Sequence, residues 1–469
     1  MKARWTWLGV ALALAIAGCD SSQGRITGTD MNASLAKSAA RGAIGINVLL
    51  ASGPTASMLS QLGGVGTVLD VVPEIHAVTM RIMASDLAAV QALSFVESAA
   101  PDVERMGSPI DAVGVSNFTV GFSTWDLDAI NVTVQPLSVA RAVPYTGQGV
   151  YVGVIDSGLL DSWRQYFPQE RIAEQYGIAF GGGGGEQGNV SSQPNKWEHD
   201  QNSHGTHVTS TIIGYNQAGA PINGVAPMAT IIPVKVLNQN GRGWSSVVAR
   251  GIVYVADLKA GPLAGSPVVI NMSIGGSGSP IENAAVDYAI SKGVIVVAAA
   301  GNEGEAGMTF PGAYAPVISA AASGWVGEWK AGPTWWFASD VPEPTVASDF
   351  YITDFSSRAK AGQDLDVAAP GSWVVGPFQT QSGKTSYFFL GGTSMASPHV
   401  AGIVALMAQK DPSLTAAQAE EILESTAIPL PPGSRTITNP DGTTSVVSWG
   451  ADATGSGLTT ATAALAGTP

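Results

Sequence analysis

The sequence predicts an α/β fold, a mainly parallel sheet with helices on both faces, preceded by a small ferredoxin-like α+β domain. Three observations carry this expectation. Continuous apolar runs (G-V-Y-V-G-V-I from Gly149, T-I-I-P-V-K-V-L from Thr230, P-V-V-I-N-M-S-I from Pro267, G-V-I-V-V-A-A-A from Gly293) have strand length and no polar face. Strands apolar on both sides belong to parallel sheets buried between helices. Segments with helical spacing, such as S-S-V-V-A-R-G-I-V-Y-V-A from Ser245, separate these runs. Ahead of residue 106 the runs are shorter and follow the order βαββαβ, the ferredoxin-like arrangement.

Taken in order, the first strand is I-G-I-N-V-L-L-A (44–51), followed by a helix in P-T-A-S-M-L-S-Q-L (54–62). Strands follow in V-G-T-V-L-D-V-V (65–72) and I-H-A-V-T-M-R-I (75–82). Ser85 is placed to cap a helix through D-L-A-A-V-Q-A-L, and F-V-E-S-A-A-P-D-V (95–103) closes the unit with a strand. Gly, Ser and Asn mark 106–123 as a loop-like junction. The division is therefore a leader (1–19), a flexible linker (20–43), a small domain (44–105), a junction (106–123) and a large body (124–469).

With 469 residues, 45% hydrophobic and 12% charged, the chain can bury a large core, which excludes a disordered or fibrous protein. A net charge of −14, from 22 basic and 36 acidic residues, argues against binding nucleic acid or an anionic membrane through bulk charge. Lys2 and Arg4 precede an apolar stretch (5–17) too short for a comfortable membrane span, and Ala17-Gly18 supply a small-residue cleavage site. This reads as an export signal. Its ending I-A-G-C resembles a bacterial lipobox, in which cleavage leaves Cys19 as a lipid-modified N-terminus anchored to a bacterial membrane. The alternative is an ordinary signal peptide with an incidental cysteine. Cys19 is the sole cysteine, so disulfides cannot stabilise the exported body.

The run G-G-T-S-M-A-S-P-H-V-A-G (391–402) sets Pro398 where an apolar helical segment begins. Proline is tolerated in a first helical turn, which places Ser394 at a helix N-terminus. Free N–H groups and the helix dipole favour negative charge there, as a serine nucleophile facing an oxyanion requires. Asp156 lies at the carboxyl end of a strand run, where functional groups of parallel sheets collect, although a carboxylate there can equally cap a turn. In N-S-H-G-T-H-V, His204 and His207 stand at i and i+3 with Asn202 or Ser203 as N-cap. Metal binding by the two histidines lacks a third ligand nearby. His204 at the helix mouth is the candidate base, whereas His207 and His399 read as structural. His76 and His199 carry no motif. Asn302 follows another apolar strand, and its amide can donate to a developing oxyanion.

Four segments, V-I-D-S-G, N-S-H-G-T-H-V, A-A-A-G-N-E-G and G-T-S-M-A-S-P-H-V-A-G, resemble the signature segments of subtilisin-like serine proteases. N-G-V-A-P (223–227), P-V-K-V-L (233–237), D-V-A-A-P-G (366–371) and W-G-A-D-A-T-G-S-G-L add to the resemblance, which runs from 125 to 465. It implies a serine endopeptidase with Asp156, His204 and Ser394 as triad and Asn302 as oxyanion donor, acting on proteins or peptides. It also implies that the small N-terminal domain is an inhibitory propeptide. The pocket for the residue before the cut would be walled by Ser273, Ile274 and Gly275 on one side and by Ala299, Ala300 and Gly301 on the other. These walls suggest an open slot of backbone and methyl groups that favours apolar side chains.

The chemistry requires no cofactor. A structural calcium stays open in Y-N-Q-A-G-A-P-I-N-G-V (215–225), which has no acidic ligand. Departures from the family pattern are an insertion with the run 181–185, and another holding Trp325, Trp329, Trp335 and Trp336, which either rim a cleft or cover a core edge. The rivals are an α/β-hydrolase, whose histidine should follow the serine at a distance, and a catalytically silent surface binding protein on the same fold.

Overall fold

The computed structural model describes residues 42–115, 123–133, 140–181, 190–217, 219–338, 341–381 and 384–469. Cys19, the leader and 182–185 of the glycine run lie outside them. The small domain contains β1 (Ala43–Leu50), α1 (Ala56–Gly63), β2 (Thr67–Val72), β3 (Ala77–Met83), α2 (Leu87–Gln91) and β4 (Val96–Pro101). The strands form an antiparallel sheet in the order β2-β3-β1-β4, as the ferredoxin-like expectation requires. Ile46, Val48, Val78 and Met80 from the sheet meet Leu62 and Val90 from the helices in one core. Thr55 caps α1 by accepting the Met58 N–H at 3.3 Å. The expected cap of α2 is corrected. Ser85 sits in a preceding 3-10 turn and donates to the Asp86 carboxylate at 3.2 Å, while Asp86 holds the N-cap position.

The junction is not a loop throughout. Residues 104–115 leave the small domain as β5 (Glu104–Met106) and β6 (Asp111–Gly114), both paired with the body. Gly, Ser and Asn content misread this stretch because its hydrogen-bond partners are distant in sequence.

The body begins with β7 (Tyr151–Asp156), β8 (Ile178–Phe180), β9 (Ser192–Gln193), α3 (His204–Ile213) and the hairpin β10 (Tyr215–Gln217) and β11 (Ala220–Ile222). It continues through β12 (Thr230–Lys235), β13 (Arg242–Trp244), α4 (Ser245–Ala260), β14 (Val268–Met272), β15 (Gly275–Gly276), α5 (Pro280–Ser291) and β16 (Val294–Ala299). β17 (Ile318–Trp325), β18 (Phe350–Ile352), β19 (Val367–Pro370), β20 (Val374–Gln381), β21 (Lys384–Gly391) and α6 (Thr393–Lys410) follow.

The main sheet runs β18-β17-β16-β14-β7-β12-β8-β9, with β19 also on β17. From β17 to β8 the pairs are parallel, and antiparallel pairs occur where β18 and β9 join. Alternation along each strand sends apolar side chains to both faces. Val152, Val154, Ile295 and Val297 pack with Val208 and Ile212 of α3 and Val400 and Val404 of α6. Ile155, Val294 and Val296 pack on the other face with Val248, Ile252 and Val255 of α4 and Val286 of α5. Val72, Ile75 and Ala77 of the small domain join this second cluster, so that domain docks over α4 and α5. The tryptophans of the second insertion cover a core edge. Trp335 and Trp336 are fully buried, and Trp329 stands 4.7 Å from Phe389 between ring centroids.

Candidate active site

The carboxyl ends of β7, β14 and β16, adjacent in the sheet, deliver Asp156, Ser273 and Asn302 to one edge. The Val236 N–H donates to the Asp156 carbonyl at 2.7 Å, holding the turn after β7. His204 opens α3, and the preceding loop aims it. Asp200 Oδ1 accepts the N–H groups of Asn202 and Ser203 at 2.9 and 2.8 Å. Burial pushes the Asp200 carboxyl up to about 6, with Lys235 opposing. Ser203 holds the N-cap position in left-handed backbone, and the His204 N–H donates to Asn202 Oδ1 at 3.2 Å. His204 Nδ1 then lies 2.9 Å from both oxygens of Asp156. Because that nitrogen donates to the carboxylate, Nε2 is left as the acceptor. Nε2 is buried with no hydrogen-bond partner among the described residues.

Ser394 is the second residue of α6, so it does lie at a helix N-terminus, but the reason inferred from Pro398 is corrected. The helix starts at Thr393, and Pro398 stands past the first turn. A residue there would normally donate to the carbonyl four residues back, that of Ser394. Proline cannot, and the Ser394 carbonyl accepts the Ser273 hydroxyl at 2.8 Å instead. Asn271 Nδ2 donates to that hydroxyl at 3.1 Å, and Asn271 Oδ1 accepts from Ser397 Oγ at 2.7 Å. The missing helical bond thus becomes a tie between α6 and the end of β14.

Asn302 Oδ1 accepts both the N–H and the hydroxyl of Thr393 at 2.9 Å, which fixes the amide and leaves Nδ2 as its donor end. Thr393 and Met395 have acceptors for their N–H groups, while the Ser394 N–H between them has none among the described residues. Two donors beside a serine hydroxyl are what an oxyanion site requires. Ser394 Oγ donates to the Ser273 carbonyl at 3.1 Å rather than to His204. The remaining histidines are accounted for separately. His207 Nε2 donates to the Val374 carbonyl at 3.2 Å, and burial pushes its pKa down to about 3. His399 is paired at both nitrogens, to the Met395 carbonyl at 2.7 Å and to Asp126 at 2.9 Å. His199 is exposed, and His76 ends a 3-10 turn in left-handed backbone.

Residues 147–457, two thirds of the chain and the whole constellation, match the sequence profile of the subtilase family. The chain belongs to that family. It is 38% identical to subtilisin E of Bacillus subtilis (strain 168) over 288 residues, covering 60% of this chain and 61% of that one. The chain thus spans less than two thirds of that relative's length. A subtilisin of Bacillus pumilus is also 38% identical over 288 residues, with 60% of this chain and 85% of that one covered. An extracellular serine proteinase of Thermus sp. (strain Rt41A) is 33% identical over 301 residues, 64% of this chain and 60% of that one. Among solved structures, fervidolysin from Fervidobacterium pennivorans, described as a keratinolytic enzyme related to subtilisin, superposes with a TM-score of 0.64 at 25% identity. That match covers 91% of this chain and 61% of fervidolysin.

In this subtilase the junction lies across the site. β5 runs between β13 and β15 as the middle strand of a three-stranded antiparallel sheet. The Gly107 N–H then donates to the Gly241 carbonyl at 2.9 Å, and the Ile110 N–H to the Gly391 carbonyl at 2.8 Å. A Cβ on Gly107 would stand 3.2 Å from His204 Nδ1 and 2.7 Å from Leu237 Cδ1, so glycine lets the backbone lie directly on the histidine. The small domain is fastened at the same place. Asp102 accepts Ser245 Oγ, the Ser246 N–H and Ser246 Oγ at 2.8, 2.9 and 2.7 Å, capping the first turn of α4 across the domain boundary.

Thr309 stands between the two candidate pocket walls. Its Oγ1 lies 2.5 Å from where a Cβ would be on either Gly275 or Gly301, and it is buried without a hydrogen-bond partner. The sequence carries no local sign of this, since Thr309 reaches the slot through a turn whose N–H donates to the Ala300 carbonyl at 2.9 Å.

Proposed function

We propose that the chain is a serine endopeptidase whose N-terminal domain is its own inhibitor. The observation that carries the reading is the junction itself, a peptide held as a β-strand between β13 and β15, laid on His204 at Gly107 and tied at Ile110 to Gly391, three residues before Ser394. In the reaction, Ser394 Oγ leaves the Ser273 carbonyl, attacks the peptide carbonyl and gives its proton to His204 Nε2. Asp156 holds the imidazole tautomer and stabilises the imidazolium. The oxyanion is met by Asn302 Nδ2 and the Ser394 N–H, His204 returns the proton to the leaving amine, and water hydrolyses the acyl-enzyme. Side chains before the cut enter the slot at Thr309, which favours apolar residues and limits their length.

Extending the antiparallel register of Met106 on Gly275 by two residues sets Ser108 opposite Ser273, whose carbonyl holds Ser394 Oγ, and of the three bonds between Gly107 and Ile110 this reading assigns self-cleavage to the one after Ser108. A silent binding protein is the weaker reading, since each member of the set is present, with His204 held by Asp156 and the Asn302 amide fixed by Thr393. The leader supports export, and Cys19 supports a lipid anchor that such a cut would separate from the body. Full-length protein and its Ser394→Ala variant decide the matter. Casein hydrolysis and trimming of the N-terminal domain are expected in the first and absent in the second. Equal hydrolysis by both would refute the reading.

A further inference from the structure

Arg105 is the middle residue of β5, and its side chain is 0% exposed, against 1% for its partner Glu282 in the first turn of α5. Nη2 and Nε both donate to Glu282 Oε2, at 2.6 and 3.0 Å, and Nη1 donates to the Glu104 carbonyl at 3.1 Å. Gly276 forms the wall beside this pair. A Cβ there would stand 2.5 Å from Arg105 Nη1, so the guanidinium fits because residue 276 has no side chain. The neighbouring pair of Arg242 and Glu104, 2.9 Å apart, is 38% and 19% exposed and is an ordinary surface contact.

The buried pair joins two parts of the chain that self-cleavage would separate. Arg105 leaves with the small domain, whereas Glu282 stays in the body beside the emptied strand position. Glu282 Oε1 is already buried without a partner, and burial pushes the carboxyl up while Arg105 draws it down. A strand that covers this carboxylate again without a cation would bury it unpaired, so the pocket discriminates in favour of a strand that brings a new one. Two N–H groups approaching one oxygen from the side suit a planar guanidinium better than an ammonium.

Arg105 lies three residues before Ser108. We propose that Glu282 is a specificity-determining residue that selects arginine at the fourth position before the cut, counting the residue that supplies the carbonyl as the first. This rests on the endopeptidase reading of the same site.

The test uses the full chain, left to process itself, with blocked chromogenic peptides Xaa-Ala-Ala-Leu in which Xaa is Arg, Lys, Ala or Glu. The expected kcat/KM for Arg exceeds that for Ala by about tenfold or more, with Lys between them and Glu lowest. Glu282→Gln brings the Arg-to-Ala ratio to within about twofold of one, and Gly276→Ala lowers it by crowding the guanidinium. Equal rates for Arg and Ala in the unsubstituted protein overturn the proposal, whether or not the variants fold. An Arg preference that survives Glu282→Gln removes Glu282 from it. Fluorophosphonate labelling of Ser394 is measured in parallel. Labelling with a flat peptide panel refutes the arginine pocket alone, whereas neither labelling nor cleavage of any peptide overturns the endopeptidase reading and the pocket together.

Discussion

His204 and His399 are both fully buried, and each has a ring nitrogen 2.9 Å from an aspartate, Asp156 in one case and Asp126 in the other. They differ at the second nitrogen. His399 Nδ1 is spent on the Met395 carbonyl one turn earlier in its own helix, whereas His204 Nε2 has no partner among the described residues and the ring lies against Gly107 of the junction. His207 adds a further condition. Its Nδ1 is also buried without a partner, yet its Nε2 faces the Val374 carbonyl rather than a carboxylate. A general base here needs a carboxylate on one nitrogen, a vacancy on the other, and a place on the cleft, and His204 alone of these three combines them.

Breaking each histidine in turn sharpens the contrast. His204→Ala is expected to lower kcat by about 10⁴ or more, because it removes the proton acceptor from a set whose members act together. Burst-free peptide hydrolysis at this residual level, with folding intact by circular dichroism, is the readout. His399→Ala should do the opposite. It leaves the buried Asp126 without its hydrogen-bond partner and is expected to cost about 3 kcal/mol of stability by urea unfolding. Cleavage per labelled active site in the folded fraction should be retained.

The smallest effect is a pH dependence at His207. The unfolded chain takes up a proton there below the ordinary 6.5, while the folded chain resists down to about 3. Between those values the native state loses stability as pH falls, by up to about 1.4 kcal/mol per pH unit. His207→Gln should therefore shrink the stability lost between pH 7 and pH 5 by about 2 kcal/mol, measured by urea unfolding in a Ser394→Ala background that prevents autolysis. An unchanged loss would show that His207 titrates normally.

Much of the architecture was legible in the sequence because it is written locally. The two-sided apolar runs mark β7, β12, β14 and β16, and the motif segments put Asp156, His204, Asn302 and Ser394 at strand or helix ends that the fold then brings together. Ser85 was displaced locally, since its neighbour Asp86 takes the cap position. Pro398, the junction and the missed Thr309 share a different physical source, partners far away in the chain, such as Ser273 for the carbonyl that Pro398 leaves open. Glu282 was missed for the same reason. Nothing near α5 in sequence announces that its first turn will meet Arg105, 177 residues earlier.

If Asp156 and His204 together make Ser394 a nucleophile, active-site labelling will report it. Self-processed protein treated with a fluorophosphonate should carry one label, on the peptide containing Ser394, and labelling should slow by orders of magnitude in His204→Ala but not in His399→Ala. A label on another serine, or labelling of Ser394 at an unchanged rate without His204, would contradict the account.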